Sequence, residues 1–174
     1  MAEFKISLQK TLAHEGEYVN DPVDSGKETY RGISRANHGE WKGWCIIDQY
    51  KIKPNFPFSM VSNADLEKQV ELFYLYEFWL PIKADQIQDQ TSADSIFDFS
   101  VNAGIKTSAQ LAQSIVGTKA DGIIGELTLK KLNSLDFGYF QPAFTVAKRS
   151  YCKRAKHQTP RFGDLCEWYC FGCD

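Results

Sequence analysis

The sequence lacks an apolar run long enough to cross a membrane, because none approaches the roughly 18 consecutive apolar residues that a spanning helix needs. It also lacks a secretory signal at its start, where MAEFKISLQK places Glu3, Lys5 and Lys10 instead of an apolar segment. We therefore expect no stable membrane insertion and no export by the general secretory route.

A large charge excess is missing too. The 174 residues carry 20 basic and 22 acidic side chains, a formal net charge of −2. A dedicated nucleic-acid binder needs many cations to neutralise phosphates, so we expect no nucleic-acid partner. The basic residues are unevenly spread, since 137–163 contains six of them and no Asp or Glu. A solvated helix face is the commoner explanation of such a stretch, and contact with an anionic polymer is the alternative.

Common metal-binding motifs are absent as well. The sequence has neither an HExxH motif nor two separated CxxC pairs, so we expect no metal site and no cofactor. Its five cysteines cannot all pair within one chain, which leaves at least one thiol free or in an intermolecular bond. Cys166, Cys170 and Cys173 with His157 could supply tetrahedral zinc ligands, but reduced thiols or late oxidation are the simpler explanations.

Apolar residues recur at intervals of three and four along most of the chain, and this spacing predicts a mainly helical fold. Phe4, Leu8 and Leu12 form the apolar stripe of a first helix. The segment EYVNDPVDSGKETYRGIS combines β-formers with a turn-rich centre, so it predicts a short irregular β-hairpin. The chain contains no repeat and no linker, which favours one domain with two helical lobes.

Turn and cap residues mark the helices that follow the hairpin. We expect a second helix after Ser34, a long helix capped by Ser62 or Asn63, and a last helix with Pro142 in its first turn. Before the last helix, the sequence predicts two helices that end at Gly104 and Gly117. A tight turn at Asp121 and Gly122 and a further helix with Leu129 and Leu132 follow them. After Pro160 we expect an irregular tail.

Glu15 lies just past the first apolar stripe, immediately before the hairpin. Partial burial disfavours the charged form of a carboxyl group, so a glutamate in this position can hold a proton near neutral pH. Hydrolysis of a glycosidic bond needs such a proton donor and a second group, usually a carboxylate, that orients water. Asp24 and Thr29 follow at the spacing Glu-x8-Asp-x4-Thr. A surface glutamate and a solvated hairpin aspartate are the alternative explanation of the pattern alone.

Four segments resemble glycoside hydrolase family 108, in the family's order and over about residues 10 to 135. HEGEYVNDPVDSGKETYRGIS resembles its N-terminal signature, YEFWLPIKADQI its Tyr-Trp-x-Pro segment, FDFSVNAG its D-F-x-V-N-x-G helix, and ADGIIGELTLKKL the DGIIGxxT motif of its predicted peptidoglycan domain. The family comprises N-acetylmuramidases with a lysozyme-like fold. The resemblance therefore implies a catalytic lobe over 1–90 and a helical peptidoglycan-domain lobe with a cysteine-rich tail over 91–174.

The resemblance also implies roles for individual residues. Glu15 becomes the catalytic acid. The order of glutamate, aspartate and threonine is also similar to that of phage-type lysozymes, which implies that Asp24 and Thr29 help to place the attacking water. If Asp24 partners Glu15 at the wider carboxylate separation of roughly 6.5 to 9.5 Å, the reaction inverts the anomeric centre. For the DGIIG segment, a structural turn and a binding role stay equally open.

Further residues are candidates for substrate binding. Trp41 and Trp44 could stack on sugar rings, with a core position as the alternative. Tyr30 of the hairpin is a third candidate. Asn102 shares a helix face with Asp98 and either lines a cleft or bridges the lobes by hydrogen bonds.

Together these inferences predict a peptidoglycan hydrolase that cleaves the β-1,4 bond between N-acetylmuramic acid and N-acetylglucosamine and assists phage-type lysis or, as a secretion activator, protein export. Peptidoglycan glycan strands are the expected partner, and we expect a monomer. The alternatives are a non-catalytic wall-binding or secretion-assisting protein and a lytic transglycosylase. We expect synthesis in the cytoplasm without a signal peptide and action on the cell wall or periplasm after non-classical export or lysis.

Overall fold

A computed structural model describes residues 1–13, 17–20, 28–60 and 62–158. Helices make up most of these residues, as the apolar spacing predicts, and none of the helices described is long and apolar enough to span a membrane. In chain order the elements are α1 (Phe4–Leu12), β1 (Tyr18–Asn20), β2 (Glu28–Tyr30), β3 (Ile33–Ser34), α2 (Gly43–Lys51), a 3-10 turn (Phe58–Met60), α3 (Ala64–Tyr74), a π-helical turn (Leu75–Trp79), a 3-10 turn (Ala84–Gln86), α4 (Gln90–Ala103), α5 (Ile105–Val116), α6 (Glu126–Asn133) and α7 (Phe137–Gln158).

The sheet confirms the predicted hairpin and adds a third strand to it, in the antiparallel order β1-β2-β3. Arg31 and Gly32 connect β2 to β3, and both have positive φ, 44° and 77°. Two such residues form the type I′ turn, which matches the twist of the strands. Arg31 is held in this unusual conformation because its amide donates to the Glu17 carbonyl (2.9 Å) and its carbonyl accepts the Tyr74 hydroxyl (2.7 Å).

The second helix begins later than we predicted. The sequence predicts a helix after Ser34, whereas residues 35–42 form a loop with turns and α2 begins only at Gly43. The His38 amide donates to the Ser34 carbonyl (2.9 Å), and the Trp41 amide donates to the His38 carbonyl (3.1 Å). The indole Nε1 of Trp44 donates to the same carbonyl (2.8 Å). Side-chain packing of the tryptophans therefore fixes a looped path where the local pattern permits a helix.

The third helix begins where the sequence marks it. The Asn63 side chain accepts a hydrogen bond from the Leu66 amide (2.9 Å), which is a standard N-terminal cap. The π-helical turn continues α3, and the helical conformation ends before Pro81, as predicted.

The chain forms two compact units, one over Leu8–Glu77 and the other from Met1–Ser7 with the chain from Phe78 onward. Each has its own apolar core, the main source of its stability. The core of the first contains Ile33, Trp44, Ile47, Leu66, Val70 and Tyr74, and that of the second contains Trp79, Ile82, Ile96, Phe97, Phe140 and Phe144. The division into a catalytic lobe over 1–90 and a peptidoglycan-domain lobe over 91–174 concerns function and stays a prediction.

The second unit confirms two predicted helix ends and explains the DGIIG turn. Gly104 and Gly117 end α4 and α5 with φ of 86° and 66°. The buried Gln113 of α5 donates to Asp121 Oδ1 (2.8 Å) and accepts the Gly122 amide (2.9 Å). These bonds give the segment a structural role, and its binding role stays a prediction.

The last helix begins earlier than we predicted. Pro142 lies inside α7 rather than in its first turn. The start is set by Asp136, whose Oδ1 accepts the Gly138 amide (2.9 Å) and whose carbonyl accepts the Tyr139 amide (3.0 Å). An aspartate cap is as strong a start signal as a proline, and it lies nearer to this helix end.

Two cysteines fall within the described residues. Cys45 is an exposed free thiol, and Cys152 is buried and disulfide-bonded. The zinc alternative concerns Cys166, Cys170 and Cys173 and the side chain of His157, all of which lie outside what the structure describes.

Candidate active site

Thr29 lies at the centre of β2, opposite Val19 of β1 and Ser34 of β3. Side chains alternate along a strand, so these three residues lie on one face of the sheet, and Glu28 and Tyr30 lie on the other. Val19 is exposed and Thr29 and Ser34 are half-buried, whereas Glu28 and Tyr30 are buried. Thr29 therefore belongs to the more open side, which we term the Thr29 face.

The opposite face carries a network of charges around the buried Glu28 that sequence reasoning did not identify. Glu28 accepts hydrogen bonds from Lys51 Nζ (2.6 Å) and the Tyr18 hydroxyl (3.0 Å) on Oε1, and from Arg35 Nη1 (2.8 Å) on Oε2. Arg35 also donates two bonds to Asp48 (2.8 and 2.5 Å). We term these five residues the Glu28 network. Because α2 supplies Asp48 and Lys51, the network ties β2 to that helix.

The network keeps both of its carboxylates ionised. Burial by itself raises the pKa of Glu28, but hydrogen bonds from Lys51, Arg35 and Tyr18 outweigh it and hold this pKa below its ordinary value of 4.5. The hydrogen bonds from Arg35 hold the pKa of Asp48 well below its usual range. Glu28 is therefore no proton donor near neutral pH, and its contribution is to hold the strand that carries Thr29.

Tyr30, a predicted substrate contact, is a buried core residue. Its hydroxyl donates to Glu67 Oε1 (3.2 Å), which also pairs with Arg31 (3.2 Å). Burial, followed by the nearby charge of Glu67, raises the pKa of Tyr30 to about 12. Its ring lies nearly parallel to that of Trp41, at 6.3 Å between centroids and 19° between planes. Tyr30 therefore joins the sheet to an aromatic cluster and does not present its ring on the Thr29 face.

A groove of about 500 Å³ lies beside this cluster, between loop 37–42 and α3 with its π-helical turn. We term it the aromatic groove, and its walls include His38, Trp41, Gln69, Phe73, Tyr76 and Glu77. Trp41 is half-buried, and its Nε1 donates to the Gln69 carbonyl (3.2 Å). Trp44 meets Trp41 edge-on at 5.2 Å but is itself buried. Of the two tryptophans predicted to stack on sugars, Trp41 lines the aromatic groove and Trp44 does not.

Within the first unit, the predicted site residues that the structure describes lie on two faces of the sheet. Thr29 lies on one face of the sheet, while Tyr30 and the Trp41 ring that packs on it lie on the other. Asn102 belongs to the second unit, where its side chain donates to the Asp98 carbonyl of its own helix (2.9 Å). Glu15 and Asp24 lie outside the described residues. Across the residues that the structure describes, no group of three His, Cys, Asp or Glu side chains is arranged to hold a metal ion.

Gly43 is required by the Trp41 ring. A Cβ atom built on Gly43 would overlap the six-membered ring of that indole. We expect Gly43→Ala to displace Trp41 and to lower the stability of the first unit by about 1 to 3 kcal/mol, the usual range for overpacking. Near-UV circular dichroism reports the tryptophan environment, and thermal unfolding reports the stability.

Gly39→Ala is the matched control in the same loop. A Cβ there would meet only the Arg35 carbonyl, at an ordinary 3.5 Å. An equal loss of stability in both variants would contradict the steric explanation for Gly43.

The order of the elements defines the class of the protein. A first helix, a small antiparallel sheet and the helices that follow form a lysozyme-like fold, as predicted. Among solved structures, SagA of Brucella abortus is similar in fold, with a TM-score of 0.65 and 21% sequence identity over 98% of this chain and 96% of that one. No curated protein matches the chain.

The family follows from the sequence match. The profile of the family described as glycosyl hydrolase 108 matches residues 8–104, more than half of the 174 residues. The chain belongs to the glycosyl hydrolase 108 family, and it is a glycoside hydrolase of the peptidoglycan-degrading kind. The matched range includes Glu15, Asp24 and Thr29 as well as the aromatic groove.

Proposed function

We propose that this glycoside hydrolase is an N-acetylmuramidase that hydrolyses the β-1,4 bond between N-acetylmuramic acid and N-acetylglucosamine. The observation that carries the proposal is the family match over 8–104, which spans the Glu15, Asp24 and Thr29 motif. The position of Thr29 on the more open face of the sheet supports it.

In the proposed reaction the carboxyl group of Glu15 gives its proton to the oxygen that leaves with the N-acetylglucosamine unit. The bond from this oxygen to the anomeric carbon of muramic acid breaks, and a water oxygen bonds to that carbon from the other side. Asp24 takes the proton that the water loses, and the Thr29 hydroxyl holds the water by a hydrogen bond. Glu28 stays ionised in its network and takes no part in proton transfer.

The products distinguish this reaction from its alternatives. We expect the protein to release soluble muropeptides from purified peptidoglycan. Mass spectrometry should show that these fragments end in reducing N-acetylmuramic acid, formed by the addition of water. Ends in anhydro-muramic acid would identify a lytic transglycosylase. The absence of any release would identify a wall-binding protein without activity. Either of these results contradicts the proposal.

The stereochemistry of the first product tests Asp24 in particular. If Asp24 activates water, early proton NMR spectra of the digest should show the α-anomer before it equilibrates, since this mechanism inverts the anomeric carbon. An initial β-anomer would mean that no such base-assisted inversion takes place.

We also propose that the protein acts on the cell wall or periplasm, assisting lysis or export, after it leaves the cytoplasm by lysis or a route other than the general secretory one. Its glycan substrate supports this location, because peptidoglycan lies outside the cytoplasmic membrane.

A further inference from the structure

The aromatic groove is a cavity that the proposed reaction does not use. It lies on the side of the sheet where Tyr30 packs against Trp41, whereas Thr29 faces the other way. Its volume of about 500 Å³ falls within the range of roughly 300 to 1,000 Å³ that is typical of small-ligand sites. Such sites combine aromatic walls with a few polar groups, and this groove does the same.

Hydrogen bonds and ring contacts fix the walls of the groove. The Trp41 Nε1 bond to the Gln69 carbonyl (3.2 Å) ties the loop to α3. The Trp44 Nε1 bond to the His38 carbonyl (2.8 Å) holds the other end of the loop. The His38 ring meets Phe73 edge-on, at 4.8 Å between centroids and 81° between planes. A cavity with walls held in this way needs little ordering when a ligand enters, which favours binding.

The exposed groups of the groove match an uncharged sugar. Tyr76 is 62% exposed, so its ring offers a flat apolar surface of the kind that packs on the apolar face of a pyranose. Glu77 and the Gln69 side chain supply hydrogen-bond partners for hydroxyl and acetamido groups. Glu40 and Lys42 carry opposite charges, so with Glu77 the lining has no positive excess that would favour an anion.

We propose that the aromatic groove binds N-acetylhexosamine rings of a glycan strand, as a non-catalytic second site on the sheet face opposite Thr29. The inference rests on the proposed function, because it takes the ligand to be the polymer that the enzyme cleaves. Two linked contacts on one polymer raise the effective concentration of glycan at the protein, so the groove increases retention on insoluble peptidoglycan.

A titration with residue resolution tests this site. Isotope-labelled protein is titrated with the N-acetylglucosamine trimer, a neutral and soluble probe, and the integrity of the trimer is followed in the same NMR samples. We expect saturable shifts of the Trp41 indole signal and of amide signals from loop 37–42. Tyr76→Ala should weaken the affinity measured from these signals by roughly two- to tenfold, the range for one aromatic contact.

Two further variants separate stacking from general effects. Tyr76→Phe keeps the ring and should retain the affinity. Tyr139→Ala removes another exposed tyrosine, 58% exposed and in the second unit, and should leave the groove signals unchanged. The proposal would be overturned if the Trp41 indole and loop 37–42 signals did not shift at the highest trimer concentration. An unchanged dissociation constant in Tyr76→Ala would overturn it as well.

Failure of the second site and failure of the proposed function give different results. If the protein releases muropeptides but the groove signals do not shift, the proposed hydrolase activity stands and the second site is refuted. If the trimer binds in the groove but no muropeptides are released, the saccharide site stands and the proposed muramidase activity is refuted.

Discussion

Glu15→Gln is expected to lower muropeptide release from purified peptidoglycan by about 10²- to 10⁴-fold, the usual contribution of a general acid. Glutamine has nearly the same shape as glutamic acid but has no proton to give to the leaving oxygen. The measurement is the initial rate of soluble muropeptide release at equal protein concentrations, with far-UV circular dichroism to verify that the variant is folded.

Glu17→Gln is the matched control, because it removes a nearby carboxylate that is exposed. We expect its rate to stay close to that of the unchanged protein. A wild-type rate in Glu15→Gln would refute the assignment of the acid. Loss of activity in Glu17→Gln alone would transfer the role to Glu17.

Much of the helical framework follows from short-range signals. The cap at Asn63 and the glycines at Gly104 and Gly117 act on neighbouring backbone groups, so the residues needed to predict those helix ends lie within one turn of each other. The same holds for the hairpin, where β-formers flank a turn-rich centre.

Other features depend on contacts that local patterns do not contain. The late start of α2 results from tryptophan hydrogen bonds to the His38 carbonyl, and the left-handed conformation of Arg31 depends on the Tyr74 hydroxyl from α3. The Glu28 network is a further case, since its partners Arg35 and Lys51 come from different parts of the chain.

In the candidate site, too, some features follow from short-range patterns and others do not. The motif implies a role for Thr29, but along a strand each step of one residue reverses the direction of the side chain. Tyr30 therefore faces the core although it is adjacent to Thr29. Trp41 lies on the same side of the sheet as Tyr30, because its ring packs against the Tyr30 ring. The alternation of side chains along a strand is therefore the sequence signal that separates Tyr30 from Thr29.

The second large effect is expected in the Glu28 network. Glu28→Gln removes the more buried of the two carboxylates that Arg35 and Lys51 share, and leaves both cations paired with Asp48. Removing one partner of a fully buried ion pair costs about 3 to 5 kcal/mol. The side chains of Lys51 and Arg35 are 32% and 33% exposed, so water compensates in part, and we expect a loss of about 2 kcal/mol at neutral pH.

Urea unfolding measures this loss, and its dependence on pH identifies the cause. The pKa of Glu28 in the folded protein lies below its ordinary value of 4.5, so its stabilisation is fully present above about pH 4.5 and is lost as the pH falls through the folded pKa. The difference in unfolding free energy between the unchanged protein and Glu28→Gln should therefore be largest near neutral pH and shrink below pH 4.5. Glu40→Gln, which removes an exposed carboxylate, should change stability little at either pH. A difference for Glu28→Gln that stays constant down to the acid limit of folding would mean that packing, and not the charge of Glu28, stabilises this side of the sheet.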